Sequence, residues 1–203
     1  MKVLIQNLEK RSGLATQLVE EHKPEIVLVQ EINLSSERCN FPAYNVSKRS
    51  GYGTAIGSTS NEFEITNIMR VLSPHAEVGG FMYKKTTIAT IQSVQYVSFH
   101  GYNGLPFKDK QKLVDHIEAV LAVLDPSVPT LFAGDFNTWT KEHLEAVTDA
   151  MTRENFQWAY SWPYDGRDFP LDHAFIRGLV VTKFENYICS SDHRGAILEI
   201  ETI

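Results

Sequence analysis

Short apolar runs and amphipathic stretches alternate along the chain, and their periods separate strands from helices. Val3-Leu4-Ile5 heads a strand over residues 3–6, and Ile26-Val27-Leu28-Val29 is a continuous apolar run suited to a buried strand. Between them, Ser12 stands where it would cap a helix over residues 13–22, with Leu14 and Leu18 on one face and Lys23-Pro24 as its stop. From residue 44 to 97 the chain is rich in Thr, Ile, Val and aromatics. Gly51, Gly53, Gly57, Pro74 and the Gly79-Gly80 pair divide it into several strands and turns. The second half alternates strand and helix. Strands are expected at 94–100, 130–133, 171–176, 179–184 and 195–200. A helix at 109–124 carries Leu113, Ile117, Val120, Leu121 and Leu124 on one stripe, and another at about 140–154 turns Leu144, Val147 and Met151 inward. Strands mixed with helices throughout predict two packed sheets with helices outside.

Composition changes this picture little. The 203 residues suit one domain, with no repeat, low-complexity tract or linker to divide residues 1–203. A hydrophobic content of 43% with 22% charged residues is ordinary for a globular protein. The net charge of −6 argues against a protein that coats nucleic acid by bulk attraction, while leaving room for an enzyme with a local basic rim. Cys39 and Cys189 lie far apart and read as buried free thiols of a reducing compartment. The apolar run at the N-terminus is too short for a signal peptide, and no stretch approaches the roughly 20 apolar residues of a membrane span. The default expectation is cytoplasmic, with no obligate protein partner evident.

The polar exceptions carry the chemistry. Asn7 ends the first apolar run, Glu31 the second, His100 the run Val97-Ser98-Phe99, and Asp135 and Asn137 the run Leu131-Phe132-Ala133-Gly134. Asp192-His193 precede the last strand, and Asp172 opens the strand at 171–176. Strand ends in layered α/β proteins converge on one edge, so these groups are candidates for one site. Several carboxylates in one pocket repel unless a cation sits among them, and oxygen donors such as Glu31, Asp192 and Asn7 suit Mg²⁺ or Mn²⁺ better than Zn²⁺.

Gln30-Glu31, Gly134-Asp135-Phe136-Asn137, Leu171-Asp172-His173-Ala174-Phe175 and Ser191-Asp192-His193 together resemble the endonuclease/exonuclease/phosphatase (DNase I-like) superfamily. Trp139 and Arg177-Gly178-Leu179 resemble a short bacterial group within it. The resemblance runs from Asn7 to His193 and implies a four-layer α/β/β/α sandwich of two mixed sheets flanked by helices. It further implies that Glu31 is the principal ligand of one or two Mg²⁺ or Mn²⁺ ions, with Asn7 beside it and Asp192 in support. Asp135 would activate the attacking water and Asn137 would hold a phosphate oxygen or that water. His193 would contact the scissile phosphate, oriented by Asp172, and His100 would bind a phosphate oxygen or protonate the leaving group. Asn103 is a further candidate for the surround of the site. The implied reaction is in-line attack on a phosphodiester.

Other residues divide between bland and functional readings. His173 is expected to pack in a strand, and His22, His75, His116 and His143 to lie on solvated helix faces or loops. Lys108, Lys110 and Lys112 are either the charged first turn of a helix or contacts to a nucleic-acid backbone, and Lys84-Lys85 divide the same way. Trp158, Tyr160 and Trp162 alternate, so an extended segment would put all three on one face, as core or as a stacking strip. Trp162 and Arg167 are the substrate-contact candidates from that region. The first functional expectation is a metal-dependent nuclease acting on DNA. The second is a phosphatase or phosphodiesterase for a small-molecule or lipid phosphate ester, with a pocket closed by Trp162, Tyr164 and Arg167. The third is a binding module without catalysis, against which the complete set of acidic and histidine residues counts.

Overall fold

Val3, Leu4 and Ile5 all escape solvent, as a strand covered on both faces requires. The computed structural model describes residues 1–60, 62–77, 80–104 and 108–203, and it shows what covers each face. The first sheet contains β1 (Lys2–Asn7), β2 (Ile26–Asn33), β3 (Ala43–Val46), β4 (Tyr52–Ser58), β11 (Leu179–Tyr187) and β12 (Gly195–Thr202), ordered β11-β12-β1-β2-β4-β3. The second contains β5 (Ile65–Glu77), β6 (Met82–Ile91), β7 (Val94–His100), β8 (Thr130–Asp135), β9 (Gln157–Trp162) and β10 (Asp172–Arg177), ordered β5-β6-β7-β8-β10-β9. Each sheet is mixed, with a central parallel pair: β1 beside β2, and β7 beside β8.

Alternation along the strands sorts the core into three layers. Val3, Ile5, Ile26, Leu28, Tyr96, Leu131, Ala174 and Leu198 fill the space between the sheets. Leu4, Val27 and Val29 point the other way, against Leu14, Ala15 and Leu18 of α1 (Leu14–His22). Val97, Phe99, Phe132 and Phe175 pack against Leu113 and Ile117 of α2 (Lys110–Leu121) and Val147 and Met151 of α3 (Lys141–Arg153). Ring pairs such as Phe99–Phe136, with centroids 4.8 Å apart, add about 0.5–1.5 kcal/mol each beyond area burial. The result is the expected α/β/β/α sandwich. Among the described residues, no helix is long and apolar enough to cross a membrane.

Several local expectations need correction. The N-terminus of α1 is not capped by Ser12. Gly13 occupies the cap position with φ 73°, and the Glu37 carboxylate accepts from Gly13 N at 3.0 Å and Thr16 N at 2.9 Å. A distant carboxylate thus meets donors that a neighbouring hydroxyl was expected to meet. Asp109 and Thr140 do cap α2 and α3 through their side chains. On α3 the inward face is His143, Val147, Ala150 and Met151, so Leu144 is only half-buried. His143 is buried, and its Nε2 pairs with the Lys108 carbonyl at 2.9 Å. His116 is also buried, tilted against Phe99, and burial pushes its imidazole down to about 3. The Gly79 half of the expected Gly79-Gly80 turn lies outside the described residues.

The aromatic alternation at 158–162 is broken by a register shift between Ala174 and Phe175, which sets β9 out of step with β10. Trp158 meets His173 edge-on, Tyr160 stacks on Phe184 at 4.3 Å, and Trp162 enters the core between the sheets.

Candidate active site

The residues of the inter-sheet core predict the site by simple counting. In β1, positions 3 and 5 face the other sheet, so Asn7 does too; in β7, Val94 and Tyr96 lead to Ser98 and His100. In β8, Leu131 and Ala133 lead to Asp135, and in β10, Ile176 and Ala174 lead back to Asp172. The register places Asn7 opposite Gln30, His100 opposite Asp135, and Asp135 opposite Asp172. The apolar space between the sheets therefore becomes polar at one end, where the parallel strands finish.

Two backbone devices make that end. Gly134 has φ 138°, and a Cβ there would lie 2.2 Å from the Phe99 carbonyl oxygen and 2.8 Å from Gln30 Nε2, so only glycine fits. Gln30 Nε2 donates instead to Ser98 Oγ at 3.0 Å, joining the two sheets just beneath the site. Glu31 is an extra residue in β2, with φ 53° and a register shift between Gln30 and Ile32. Ile32 takes up the α1-facing position that Glu31 would otherwise occupy. The bulge brings Glu31 Oε1 to 3.7 Å from His100 Nε2.

Asp135 is buried at the centre. It accepts from Asn7 Nδ2 at 3.0 Å and from Asn137 N at 2.9 Å, with His100 Nε2 at 3.5 Å and His193 Nε2 at 3.9 Å. Burial pushes the Asp135 carboxyl above the usual carboxylate range, opposed by the His193 charge. Asp172 is raised by burial in the same way and hydrogen-bonds His193 Nδ1 at 2.7 Å. Burial alone would lower the His193 imidazole. The charge and hydrogen bond of Asp172, then the charges of Asp135 and Asp192, raise it to about 10. His193 is thus an imidazolium near neutral pH, facing Asp135. Its loop is tied to the end of β1: Ser191 Oγ donates to the Asn7 carbonyl at 2.7 Å, and Gln6 Nε2 donates to the His193 carbonyl at 3.1 Å.

His100, expected to bind a phosphate oxygen or to protonate the leaving group, has a partner that the sequence pattern did not pair with it. Lys84 Nζ lies 2.5 Å from its Nε2, and an ammonium can only donate, so that nitrogen accepts. Burial first, then the Lys84 charge, holds the imidazole well below its ordinary value. The neutral ring faces Glu31 and Asp135, and the cation at this wall is Lys84, whose importance sequence pattern left undecided.

The remaining candidates separate. Asn137, with φ 57°, spends an amide hydrogen on the Gly101 carbonyl at 3.0 Å and holds Asp135 through its own N–H, which is a positioning task. Asp192 sits on the rim, accepting from Tyr164 OH at 2.8 Å, with Oδ1 3.9 Å from His193 Nε2. The Tyr164 ring stands edge-on to His193 at 4.8 Å. Asn103 and Arg167 belong to an adjoining cluster around Trp139. Trp162 is not at the rim: it is 1% exposed, and its Nε1 donates to the Arg194 carbonyl at 3.0 Å.

Asn7, Glu31 and Asp192 do not form a closed cage. Among the described residues, no group of three or more His, Cys, Asp or Glu side chains stands at metal-ligand spacing. Asn7 Oδ1 accepts from Glu9 N at 3.0 Å. Glu31 does fit a hard cation. Its carboxylate meets Lys10 and His100 only at 3.7 Å and accepts no hydrogen bond among the described residues. Mg²⁺ characteristically takes one or two carboxylates and completes its shell with water and substrate oxygens.

From Glu31 and His100 a cleft of about 720 Å³ runs outward between the β3–β4 turn and the β5–β6 hairpin. Lys10, Arg49, Lys84 and Lys85 line it against Glu31 and Glu77, together with Tyr52, Phe81 and Tyr83. The local charge is the reverse of the chain's −6.

A model described as the Endonuclease/Exonuclease/phosphatase family matches residues 6–193. A UPF0294 protein of Vibrio campbellii (strain ATCC BAA-1116) is 31% identical over 106 residues, covering 49% of this chain and 36% of that protein. A UPF0294 protein of Vibrio cholerae serotype O1 (strain ATCC 39315 / El Tor Inaba N16961) is 24% identical over 228 residues, covering 100% of this chain and 78% of that protein. The chain thus spans well under half the length of the first of these relatives. Among solved structures, a conserved protein of unknown function from Enterococcus faecalis V583 superposes with TM-score 0.74 at 14% identity, covering 100% of both chains. The endonuclease domain of TRAS1, a telomere-specific non-LTR retrotransposon, superposes with TM-score 0.70 at 15% identity, covering 97% of this chain and 96% of that one. A mannosyl-6-phosphatase of Bacteroides thetaiotaomicron VPI-5482 gives TM-score 0.69 at 13% identity, covering 99% of both. At these identities the likeness shows the fold.

Proposed function

We propose that this chain, which belongs to the endonuclease/exonuclease/phosphatase family, hydrolyses phosphodiester bonds of a nucleic-acid strand, DNA first. The family acts on phosphoester bonds, and the choice of a strand rests on one observation. The cleft that begins at Glu31 and His100, whose Nε2 lies 3.5 Å from Asp135, carries Lys10, Arg49, Lys84 and Lys85 along walls that include Tyr52, Phe81 and Tyr83. Cations follow a phosphate backbone and aromatic rings stack on bases. The competing small-ester pocket depended on Trp162 as part of its wall, and that ring lies in the core.

In this reading a water on the Asp135 side attacks the phosphorus in line with the leaving oxygen. Asp135, whose basicity is raised by burial, takes the water's proton as the new P–O bond forms and the opposite one breaks. The leaving oxygen is protonated from solvent. His193, held charged by Asp172, binds a nonbridging oxygen as negative charge builds there. Glu31, with Asn7 beside it, would hold Mg²⁺ or Mn²⁺, which supplies further neutralisation of those oxygens. Lys84 adds positive charge at the same wall.

Nicking of supercoiled plasmid with Mg²⁺ or Mn²⁺, against an EDTA control, tests the reading. Asp135→Ala is expected to lose at least about 10²-fold in rate while melting as a folded protein. Glu31→Gln is expected to move half-activation to higher Mg²⁺. Wild-type nicking by Asp135→Ala removes the mechanism, and an unchanged metal titration moves the cation elsewhere. Absence of nicking by folded wild-type protein shifts the substrate to a small phosphate ester.

A further inference from the structure

Beyond His100, the loop between β7 and α2 and the loop between β9 and β10 each bring one cation, Lys108 and Arg167, to the indole of Trp139 in the loop after β8. Lys108 Nζ lies 2.9 Å from the Trp139 ring centroid and the Arg167 guanidinium 3.9 Å from it. Among the described residues neither reaches a carboxylate within ion-pair distance. Like charges gathered on one ring repel. Burial, and then the Arg167 charge, bring the Lys108 ammonium down to about 8. An anion placed between the two would reverse that cost.

The cluster is built and tied to the catalytic residues. Asn103 Oδ1 accepts from both Trp139 Nε1 at 2.8 Å and Lys108 Nζ at 3.0 Å, and Asn103 N donates to Glu77 Oε1 at 2.5 Å. Asn103 is therefore a positioning residue, with its side-chain oxygen already used. Trp139 N donates to the Asn137 carbonyl at 3.0 Å, two residues from Asp135. Arg167 lies over the Tyr164 ring at 6.0 Å, and Tyr164 in turn borders His193.

We propose that Lys108 and Arg167, held over Trp139, form a subsite for a second phosphate of the substrate, beside the scissile one on the β8–β10 side. The subsite rests on the nucleic-acid reading above, and it makes the scissile phosphate an internal one. One stretch of strand follows the cleft and the next phosphate on the other side is held here. Arg167 offers the planar fork that grips phosphate oxygens in pairs, and Lys108 a point charge beside it.

Lys108→Met and Arg167→Gln are compared with wild type on two substrates: a labelled oligodeoxynucleotide, and bis(p-nitrophenyl) phosphate, a diester with a single phosphate. In each variant the KM for the oligonucleotide is expected to rise at least tenfold, with kcat within threefold. The change on bis(p-nitrophenyl) phosphate is expected to be at least fivefold smaller. The dependence of log KM on log salt should flatten by about 0.7 per cation removed, and Arg167→Lys should restore that slope. Equal losses on both substrates, or no change on the oligonucleotide, overturn the subsite. Wild type that cleaves bis(p-nitrophenyl) phosphate but no oligonucleotide overturns the nucleic-acid reading itself, and the subsite with it.

Discussion

Two buried histidines lie on opposite faces of the second sheet, and one is charged where the other is neutral. His193 stands at the mouth between the sheets, with Asp172 at 2.7 Å and Asp135 at 3.9 Å. His173 lies on the helix side of β10, hydrogen-bonded to Thr138 Oγ1 at 2.5 Å and to Ser161 Oγ, with Phe136 edge-on at 5.4 Å. Burial opposes the charged form of both. Carboxylates overcome it for His193, which is raised to about 10, whereas two hydroxyls leave His173 neutral, pushed down to about 3. The polar partner, and not the depth of burial, decides which histidine can meet a phosphate as a cation. Asp172 and His173 are adjacent in sequence, and strand alternation sends one to the site and the other to the helices.

The largest effect should come from removing the carboxylate that makes the difference. Asp172→Asn is expected to cost about 10²–10⁴ in kcat, the range for a positioned acid–base pair, with KM little changed. Without that negative partner the charged imidazole loses stabilisation, so the His193 pKa falls and the alkaline limb of kcat moves to lower pH. Titration of His193 by NMR measures this directly; a midpoint still near 10 would show that Asp172 is not the cause.

A smaller effect is expected on the other face. The folded pKa of His173 lies below its unfolded value, so the unfolded chain binds the proton first. Its contribution is complete above about pH 6.5 and is lost as pH falls from there toward 3. At pH 5 that amounts to about 2 kcal/mol. His173→Phe should cost about 1 kcal/mol at pH 8 from lost hydrogen bonds, and should then lose less on acidification than wild type. Turnover should remain within about threefold, since no reacting group is touched. Parallel denaturation curves for the two proteins between pH 8 and 5 would contradict the neutral assignment.

Much of this site was legible as a pattern. Continuous apolar runs ending in Asn7, His100 and Asp135 announced strands buried on both faces and opened at one end. The closest misses involved long-range partners. Ser12 stood at a cap position, but Glu37 reaches the helix from another loop. Trp162, a substrate-contact candidate, pairs with Asp172 on the inter-sheet face and lies in the core, while the bulge in β9 turns Trp158 to the other face. His100 was a candidate to bind a phosphate oxygen or protonate a leaving group, and its contact with Lys84 of the neighbouring strand was not visible in the pattern.

By itself, the sequence determined the strand and helix periods, the alternation that divides core from site, and the oxygen-rich set of Asn7, Glu31, Asp135 and Asp172. These are local properties, set by side-chain chemistry at fixed spacing along the chain. Only the tertiary structure decided the charge of each histidine, the aim of Glu31 through its bulge, and the gathering of Lys108, Arg167 and Asn103 around Trp139. Those depend on fields and contacts between residues distant in sequence, and electrostatic interaction follows distance in space.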